Sequence, residues 1–154
     1  MKEWLVVLVV TMIPWLELRG SIPLGILKYD LNPVLVFLTA LTANVILIPA
    51  LFVFLDYFFD ILTKFPFFDR VVSRTHRRSK PYVEKYGTIG LALFVGVPLP
   101  FTGVYSGSLA AHILGVKDRR ALAGIALGAL IAGVLVTLFS TVLYDSMGFL
   151  LKTL

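Results

Sequence analysis

The chain has 154 residues, 58% of them hydrophobic and only 15% charged, whereas a soluble domain averages about 25% charged residues, so the sequence predicts an all-α polytopic membrane protein. The formal net charge is +5, but the basic residues flank apolar stretches, as in membrane proteins, and we therefore expect no nucleic-acid partner. The absence of cysteine excludes disulfides, thiol nucleophiles and thiolate metal ligands.

The first apolar stretch, Trp4–Ile13, is half the length that a membrane crossing needs. As a helix its ten residues would cover about 15 Å. The stretch Pro14–Gly25 follows, with charges and helix breakers, and overlaps a second short apolar arm, Ile22–Leu27. Two short arms around a polar tip predict a re-entrant hairpin, whose tip must be covered by protein or line a cavity. The alternative is one kinked span over Trp4–Leu27.

The next apolar stretch, Val34–Phe59, is long enough to cross a membrane with some tilt. Asn32 and Pro33 are residue types that begin helices. Pro49 is predicted to kink this helix without ending it. Asn44, in mid-span, is predicted to hydrogen-bond a neighbouring helix.

Residues 60–86 carry seven basic residues among aromatic and aliphatic ones. This composition predicts an amphipathic helix that lies on the anionic, cytoplasmic surface of a membrane. Pro81 is expected to end or bend this helix. His76, surrounded by arginines, is predicted to be solvated.

A second pair of short apolar arms, Leu91–Val97 and Val104–Gly115, flanks the breaker-rich stretch Pro98–Gly107 and predicts a second re-entrant hairpin. The apolar span Ala121–Leu143 follows it. Small residues on this span allow close approach of another helix. From this surface we predict a homodimer or a higher homo-oligomer.

The distribution of positive charge favours hairpins over spans. With two hairpins, residues 60–86 and the loop 117–120 share one side, which then holds ten of the fourteen basic residues. With spans in place of the hairpins, the two sides hold nine and four. Because basic residues concentrate in the cytoplasm, we predict that residues 60–86 are cytoplasmic and that both chain ends lie outside.

The predicted architecture is a single membrane domain, residues 1–154, with two inverted repeats. Residues 1–59 and 87–154 each form a re-entrant helical hairpin followed by a transmembrane helix, and the basic interfacial segment 60–86 lies between them. Many secondary transporters are built on this plan.

The two hairpin tips are predicted to meet near the bilayer midplane and to attract an anion. Ser21 and Thr102 are predicted to cap the second arms, whose N-terminal amide groups and dipoles favour negative charge. Arg19 adds a positive charge, which costs on the order of 3 kcal/mol inside a membrane and therefore needs a partner. Glu17 is nearest, and in an extended tip both side chains would point the same way.

Two interpretations of this pair stay open. It can be a salt bridge that fixes the tip, and Arg19 can hold an anionic group while Glu17 exchanges a proton as substrate binds; the two roles are compatible. Asp56, near the end of the first span, is a second candidate proton relay. The predicted substrate-binding and transport residues are Glu17, Arg19, Gly20, Ser21, Pro23, Pro98, Pro100, Thr102, Gly103 and Ser106.

The sequence favours a transporter or flippase for an anionic lipid or small molecule, with membrane lipids as partners. The alternative is a non-transporting membrane scaffold whose charged tip stabilises the fold. Glu17, Thr102 and His112 offer hydrolytic side chains, but no nucleophile–base spacing or metal-ligand cluster supports an enzyme. We therefore expect no enzymatic activity, no metal and no cofactor.

Three motifs occur in order along the chain: Pro14-x-x-Glu17-x-Arg19-Gly20-x-Ile22-Pro23, Pro98-x-Pro100-x-Thr102-Gly103-x-Tyr105-Ser106-Gly107 and Leu127-Gly128-Ala129-Leu130-Ile131-Ala132-Gly133-Val134. They resemble the "putative small multidrug export protein" family, a branch of the DedA superfamily. Tyr105 and Phe101 depart from the family pattern, in which tryptophan and a small residue are common.

This resemblance implies two re-entrant hairpins, each followed by a transmembrane helix, in the cytoplasmic membrane. It also implies a relation to proteins linked with lipid scrambling, polyprenyl-phosphate flipping and proton-dependent membrane homeostasis. The family label suggests drug export, but a positively charged midplane site suits an anionic head group better than a cationic drug.

Overall fold

The computed structural model describes residues 2–99, 102–116 and 118–153, and within these ranges all regular structure is helical. The predicted all-α class is therefore confirmed for the described residues. A π-helical segment, Leu24–Lys28, directly continues the second helix. The α-helices are α1 (Lys2–Met12), α2 (Glu17–Pro23), α3 (Pro33–Leu62), α4 (Pro66–Tyr86), α5 (Thr88–Gly96), α6 (Val104–Ile113) and α7 (Arg119–Thr153).

Two of these helices are long and apolar enough to cross a membrane. They are α3, with 30 residues, and the part of α7 up to Ser146, with 28 residues. Large apolar side chains on both helices face outward, and Ile46 on α3 and Phe139 on α7 are 65% and 70% exposed. An apolar surface of this extent is typical of a face that contacts lipid. The remaining apolar helices, α1, α2, α5 and α6, have 7 to 11 residues and are too short to span alone.

The start and course of α3 follow the sequence rules. The Asn32 side chain accepts hydrogen bonds from the N–H groups of Val34 and Leu35, at 3.0 and 3.2 Å, and so caps the helix. The helix continues through Pro49, as predicted. The predicted interhelical hydrogen bond of Asn44 is not found. This side chain is fully buried, and neither of its amide atoms has a hydrogen-bond partner among the described residues.

The amphipathic helix α4 packs on α5 and α6. It continues through Pro81 to Tyr86, so Pro81 does not end it. α4 and α5 approach closely at Gly90, where an added Cβ would overlap the carbonyl oxygen of Tyr82. This contact keeps the C-terminal half of α4 against the second pair of short helices.

The helices α1 and α2 form a helical hairpin. The hydroxyl groups of Thr11 and Ser21 are hydrogen-bonded at 2.7 Å, and both residues are buried. Ten residues of one continuous helix would separate them by about 15 Å. The chain therefore reverses between them, which excludes a single kinked helix over Trp4–Leu27.

The second arm of this hairpin starts earlier than predicted. It begins at Glu17 instead of Ile22, so Glu17 and Arg19 lie in the first turn of a helix and not in an extended tip. Ser21 lies inside α2, and the prediction that it caps the arm is wrong, because its hydroxyl binds Thr11 on α1. The φ angles are positive at Trp15 in the turn before α2, 81°, and at Glu17, the first residue of α2, 46°.

The second hairpin closely matches the predicted arms, since α5 and α6 span Thr88–Gly96 and Val104–Ile113. Between the hairpins and the long helices lies an apolar core. It includes buried residues of every α-helix, and its members with no exposed surface are Val7, Ile22, Val36, Ala40, Leu91, Val104, Ala110, Ala111, Ala121 and Ile125.

The small residues of α7 face other helices of the same chain. Gly124 and Gly128 contact α5, where added Cβ atoms would lie 2.7 Å from the Thr88 and Ala92 carbonyl oxygens. Gly133 faces Phe37 of α3. This surface therefore gives no support to the predicted oligomer, which stays a prediction.

Candidate functional site

The carboxylate of Glu17 caps helix α6 from the other hairpin. It is almost fully buried, with 3% of the residue exposed. Oε2 accepts a hydrogen bond from the N–H of Val104 at 2.9 Å, and Oε1 accepts one from Tyr105 at 3.1 Å. These are the first two residues of α6, whose N–H groups have no partner within the helix. The negative charge also lies at the positive end of the α6 dipole.

Glu17 has the capping role at the N-terminus of α6 that was predicted for Thr102. The N-cap residue of α6 is Gly103, which has no side chain to accept a hydrogen bond. The Thr102 hydroxyl instead lies 2.7 Å from the Val97 carbonyl oxygen and 2.8 Å from that of Leu99. The prediction that Thr102 caps α6 is thus wrong, because a charged acceptor from α2 binds the terminal N–H groups.

Arg19 makes the complementary contact at the C-terminus of α5. Its Nη2 donates to the carbonyl oxygen of Val95 at 2.7 Å, and to Val97 O and Thr102 Oγ1 at 3.3 Å each. The last carbonyls of a helix have no intrahelical partner and carry its negative dipole end. Arg19 Nη1 also lies 3.7 Å from Glu17 Oε2.

The first hairpin therefore places an anion at the start of α6 and a cation at the end of α5. Glu17 and Arg19 each lie near the other's opposite charge, and each binds a helix terminus whose dipole has the opposite sign. This contact can hold the two tips together, and it already fills the N-terminal amide site of α6. A substrate anion can enter that site only when Glu17 leaves it.

Gly103 makes the contact possible, because a Cβ at this position would overlap the Glu17 carboxylate. Gly20 packs closely against the side chain of Leu16: a Cβ added to Gly20 would lie 3.1 Å from the Cβ of Leu16. Pro23 ends α2, next to the π-helical segment. Pro98 is exposed in the second tip, and Pro100 lies outside the described residues.

Asp56 is placed away from the tips. Its Oδ1 lies 3.4 Å from Nδ1 of His112, near the end of α6, whereas Glu17 binds the start of the same helix. The length of α6, ten residues, separates the two ends by about 15 Å. The structure thus does not bring the two candidate proton relays together. Among the described residues no group of three His, Asp or Glu side chains is placed to hold a metal.

A cavity of about 550 Å³ lies between α4, the turn before α2, and α6. Of the predicted site residues it contains Ser106. Three arginines of α4, spaced four residues apart, lie on its wall. The cavity is lined by Trp15, Phe67, Arg70, Val71, Arg74, Thr75, Arg78 and Ser106.

A model of the family described as "Putative small multi-drug export protein" matches residues 17–135, which is more than half of the chain and includes both tips. The chain belongs to this family. No curated protein and no solved structure matches it. Membership of an export family, together with the two long apolar helices, makes the chain a membrane protein.

Two features of this export-family protein were missed by sequence reasoning. The phenol of Tyr105 donates to the carbonyl oxygen of Met12 at 2.6 Å and so joins α6 to the end of α1. The arginines of the cavity were interpreted only as surface charges. Their spacing at positions 70, 74 and 78 puts them on one face of α4 and was the signal available in the sequence.

Proposed function

We propose that this member of the export family moves an anionic lipid or a small anionic molecule across the cytoplasmic membrane, as a transporter or flippase. The observation that carries the proposal is the Glu17 carboxylate at the N-terminus of α6. Two backbone N–H donors and the guanidinium of Arg19 surround it, and this is the chemistry that binds carboxylates and phosphates at helix N-termini. Glu17 thus stands where the anionic group of a substrate would bind.

In the proposed cycle, a substrate anion competes with Glu17 for the donors of Val104 and Tyr105 and for Arg19. A carboxylate that loses these partners in an apolar site favours its protonated form. Release of Glu17 therefore couples substrate binding to uptake of a proton. It also breaks the contact between the tips, which allows the two hairpins to move relative to each other.

The test is flipping of a fluorescent phosphatidylglycerol in proteoliposomes, measured by dithionite quenching with and without a pH gradient. In the parent protein the gradient is expected to change the flipping rate, and Glu17→Gln is expected to abolish this response and to slow flipping about tenfold, equivalent to about 1.4 kcal/mol in the barrier. The matched control is Glu84→Gln, because Glu84 is exposed and pairs with Lys80 on the surface of α4. Undiminished coupled flipping by Glu17→Gln would contradict the mechanism.

A scaffold remains the second candidate, and one observation favours it. Both charges of the first tip are already satisfied by the second hairpin, as a purely structural contact requires. The scaffold interpretation predicts that these side chains matter for assembly alone. Conservative replacement of Arg19 by lysine separates the two functions.

The proposed mechanism includes the inverted arrangement, with both hairpins re-entrant from opposite leaflets, α4 in the cytoplasm and both chain ends outside. The chain has no cysteine, so single cysteines can report the side of each segment. Ser73 on α4 and Ser146 on α7 are both exposed, and their replacement by cysteine changes no charge.

In intact cells, a membrane-impermeant maleimide is expected to label Ser146→Cys and not Ser73→Cys. Permeabilised cells should show labelling of both. If the short helices formed two complete spans instead, the two positions would lie on the same side, and both variants would be labelled only after permeabilisation. That second pattern would overturn the inverted arrangement.

A further inference from the structure

The cavity between α4 and the first tip combines three cationic side chains with an apolar wall. Arg70, Arg74 and Arg78 follow one another at intervals of four residues, about 6 Å along the helix axis. All three are exposed on the surface of the protein. None of the described residues that line the cavity is acidic.

The lining also includes aromatic and aliphatic side chains. Trp15, from the turn before α2, is 55% exposed, and Phe67 on α4 is 60% exposed. Val71 adds an aliphatic side chain between the arginines. Tryptophan beside arginine is typical of the level at which lipid head groups meet acyl chains.

The chemistry of this lining suits a ligand that has a phosphate group attached to an apolar chain. A guanidinium binds phosphate oxygens through two parallel N–H bonds, which makes arginine a specific phosphate ligand. A volume of about 550 Å³ is in the range of small-molecule sites and exceeds what a bare phosphate needs. The exposed ring of Phe67 gives the remaining volume an apolar surface.

We propose that this cavity binds the phosphate head group of an anionic membrane lipid. The three arginines hold the phosphate, and Trp15 and Phe67 contact the upper part of the acyl chains. This site is separate from the helix terminus that Glu17 occupies, and binding there requires no transport. The bound lipid would contact the turn that leads into Glu17, because Trp15 lies in this turn and also lines the cavity.

The experiment uses Trp15 as the reporter. The chain has two tryptophans, so Trp4→Phe leaves Trp15 as the single one. The full-length protein is placed in nanodiscs of phosphatidylcholine that contain a small fraction of phosphatidic acid with brominated chains, which quench tryptophan on contact. We expect stronger quenching of Trp15 than with the same fraction of brominated phosphatidylcholine.

Charge variants test whether the arginines cause this preference. Arg74→Gln, in the centre of the group, is expected to weaken the apparent affinity for phosphatidic acid about fivefold, and Lys80→Gln to leave it within about twofold. Lys80 is on the same helix but does not line the cavity. Helicity by circular dichroism and elution volume verify that both variants fold.

Three results would overturn the proposal. The first is equal quenching by the two brominated lipids in the Trp4→Phe protein, which needs no charge variant. The second is an equal loss in Lys80→Gln and Arg74→Gln, which would show a general surface-charge effect. The third is loss of the preference on addition of millimolar inorganic phosphate, which would show that the site binds a free anion. A failure to flip lipid, by contrast, would count against the proposed transport alone.

Discussion

Replacing Arg19 with glutamine is expected to lower the free energy of unfolding by about 3 to 5 kcal/mol, because it breaks a buried ion pair and removes the counter-charge of the buried Glu17 carboxylate. Arg19 lies beside the carboxylate of Glu17, a residue that is 3% exposed, and its Nη2 binds the Val95 and Val97 carbonyl oxygens at the end of α5. Unfolding by sodium dodecyl sulfate in mixed micelles, followed by circular dichroism, measures the change.

Arg120→Gln is the control, because Arg120 is exposed at the start of α7 and an exposed position of this kind typically contributes less than about 0.5 kcal/mol. Equal shifts in the two variants would mean that the contact at the tips does not stabilise the fold.

Arg19→Lys separates a transporter from a scaffold. Lysine keeps the positive charge beside Glu17, but it lacks the planar fork that places one guanidinium nitrogen beside Glu17 and the other on Val95 O. A transporter should then keep its assembly in detergent and lose lipid flipping. A scaffold should instead lose assembly in proportion to its loss of stability, and preserved assembly with undiminished flipping would refute a role for the guanidinium in transport.

Gly103→Ala is expected to destabilise the protein by about 1 to 3 kcal/mol, the usual range for forcing extra atoms into a packed site. The added methyl group would overlap the Glu17 carboxylate and push it from the N–H groups of Val104 and Tyr105. The same unfolding measurement in mixed micelles reports the effect.

A double-mutant cycle with Glu17→Ala tests the cause. Without the carboxylate there is nothing for the new methyl group to displace, so the double variant should be within about 0.5 kcal/mol of Glu17→Ala alone. Strictly additive losses would show that Gly103→Ala acts through the α6 backbone and not through Glu17.

The positions of the long and short helices along the chain could largely be predicted from the sequence. Without water, backbone groups in lipid must be satisfied within helices, so apolar length alone separates the short arms from α3 and α7. Asn32 capped α3 as its residue type predicts, because that contact is made within three residues of the chain. The arms of the second hairpin were found for the same local reason.

The contacts of the site could not be predicted, because they join distant parts of the chain. Ser21 and Thr102 were assigned as caps by a local rule, but a carboxylate 87 residues before Val104 takes the N–H groups of α6. The cavity was missed for a related reason. The spacing of the arginines aligns them on α4, whereas its other wall, with Trp15 and Ser106, is brought there only by tertiary packing.

The hydrogen bonds between the tips also determine the order in which the protein can be assembled. The partners of Arg19 and Glu17 lie 76 to 88 residues later in the chain. At about 5 to 20 residues per second, ribosomal synthesis reaches them roughly 4 to 18 seconds after the first tip has been made. Until then, the first tip has two charges whose final ligands do not yet exist. The first tip can therefore complete its hydrogen bonds only after the second hairpin has been synthesised, so folding of the N-terminal half depends on the C-terminal half.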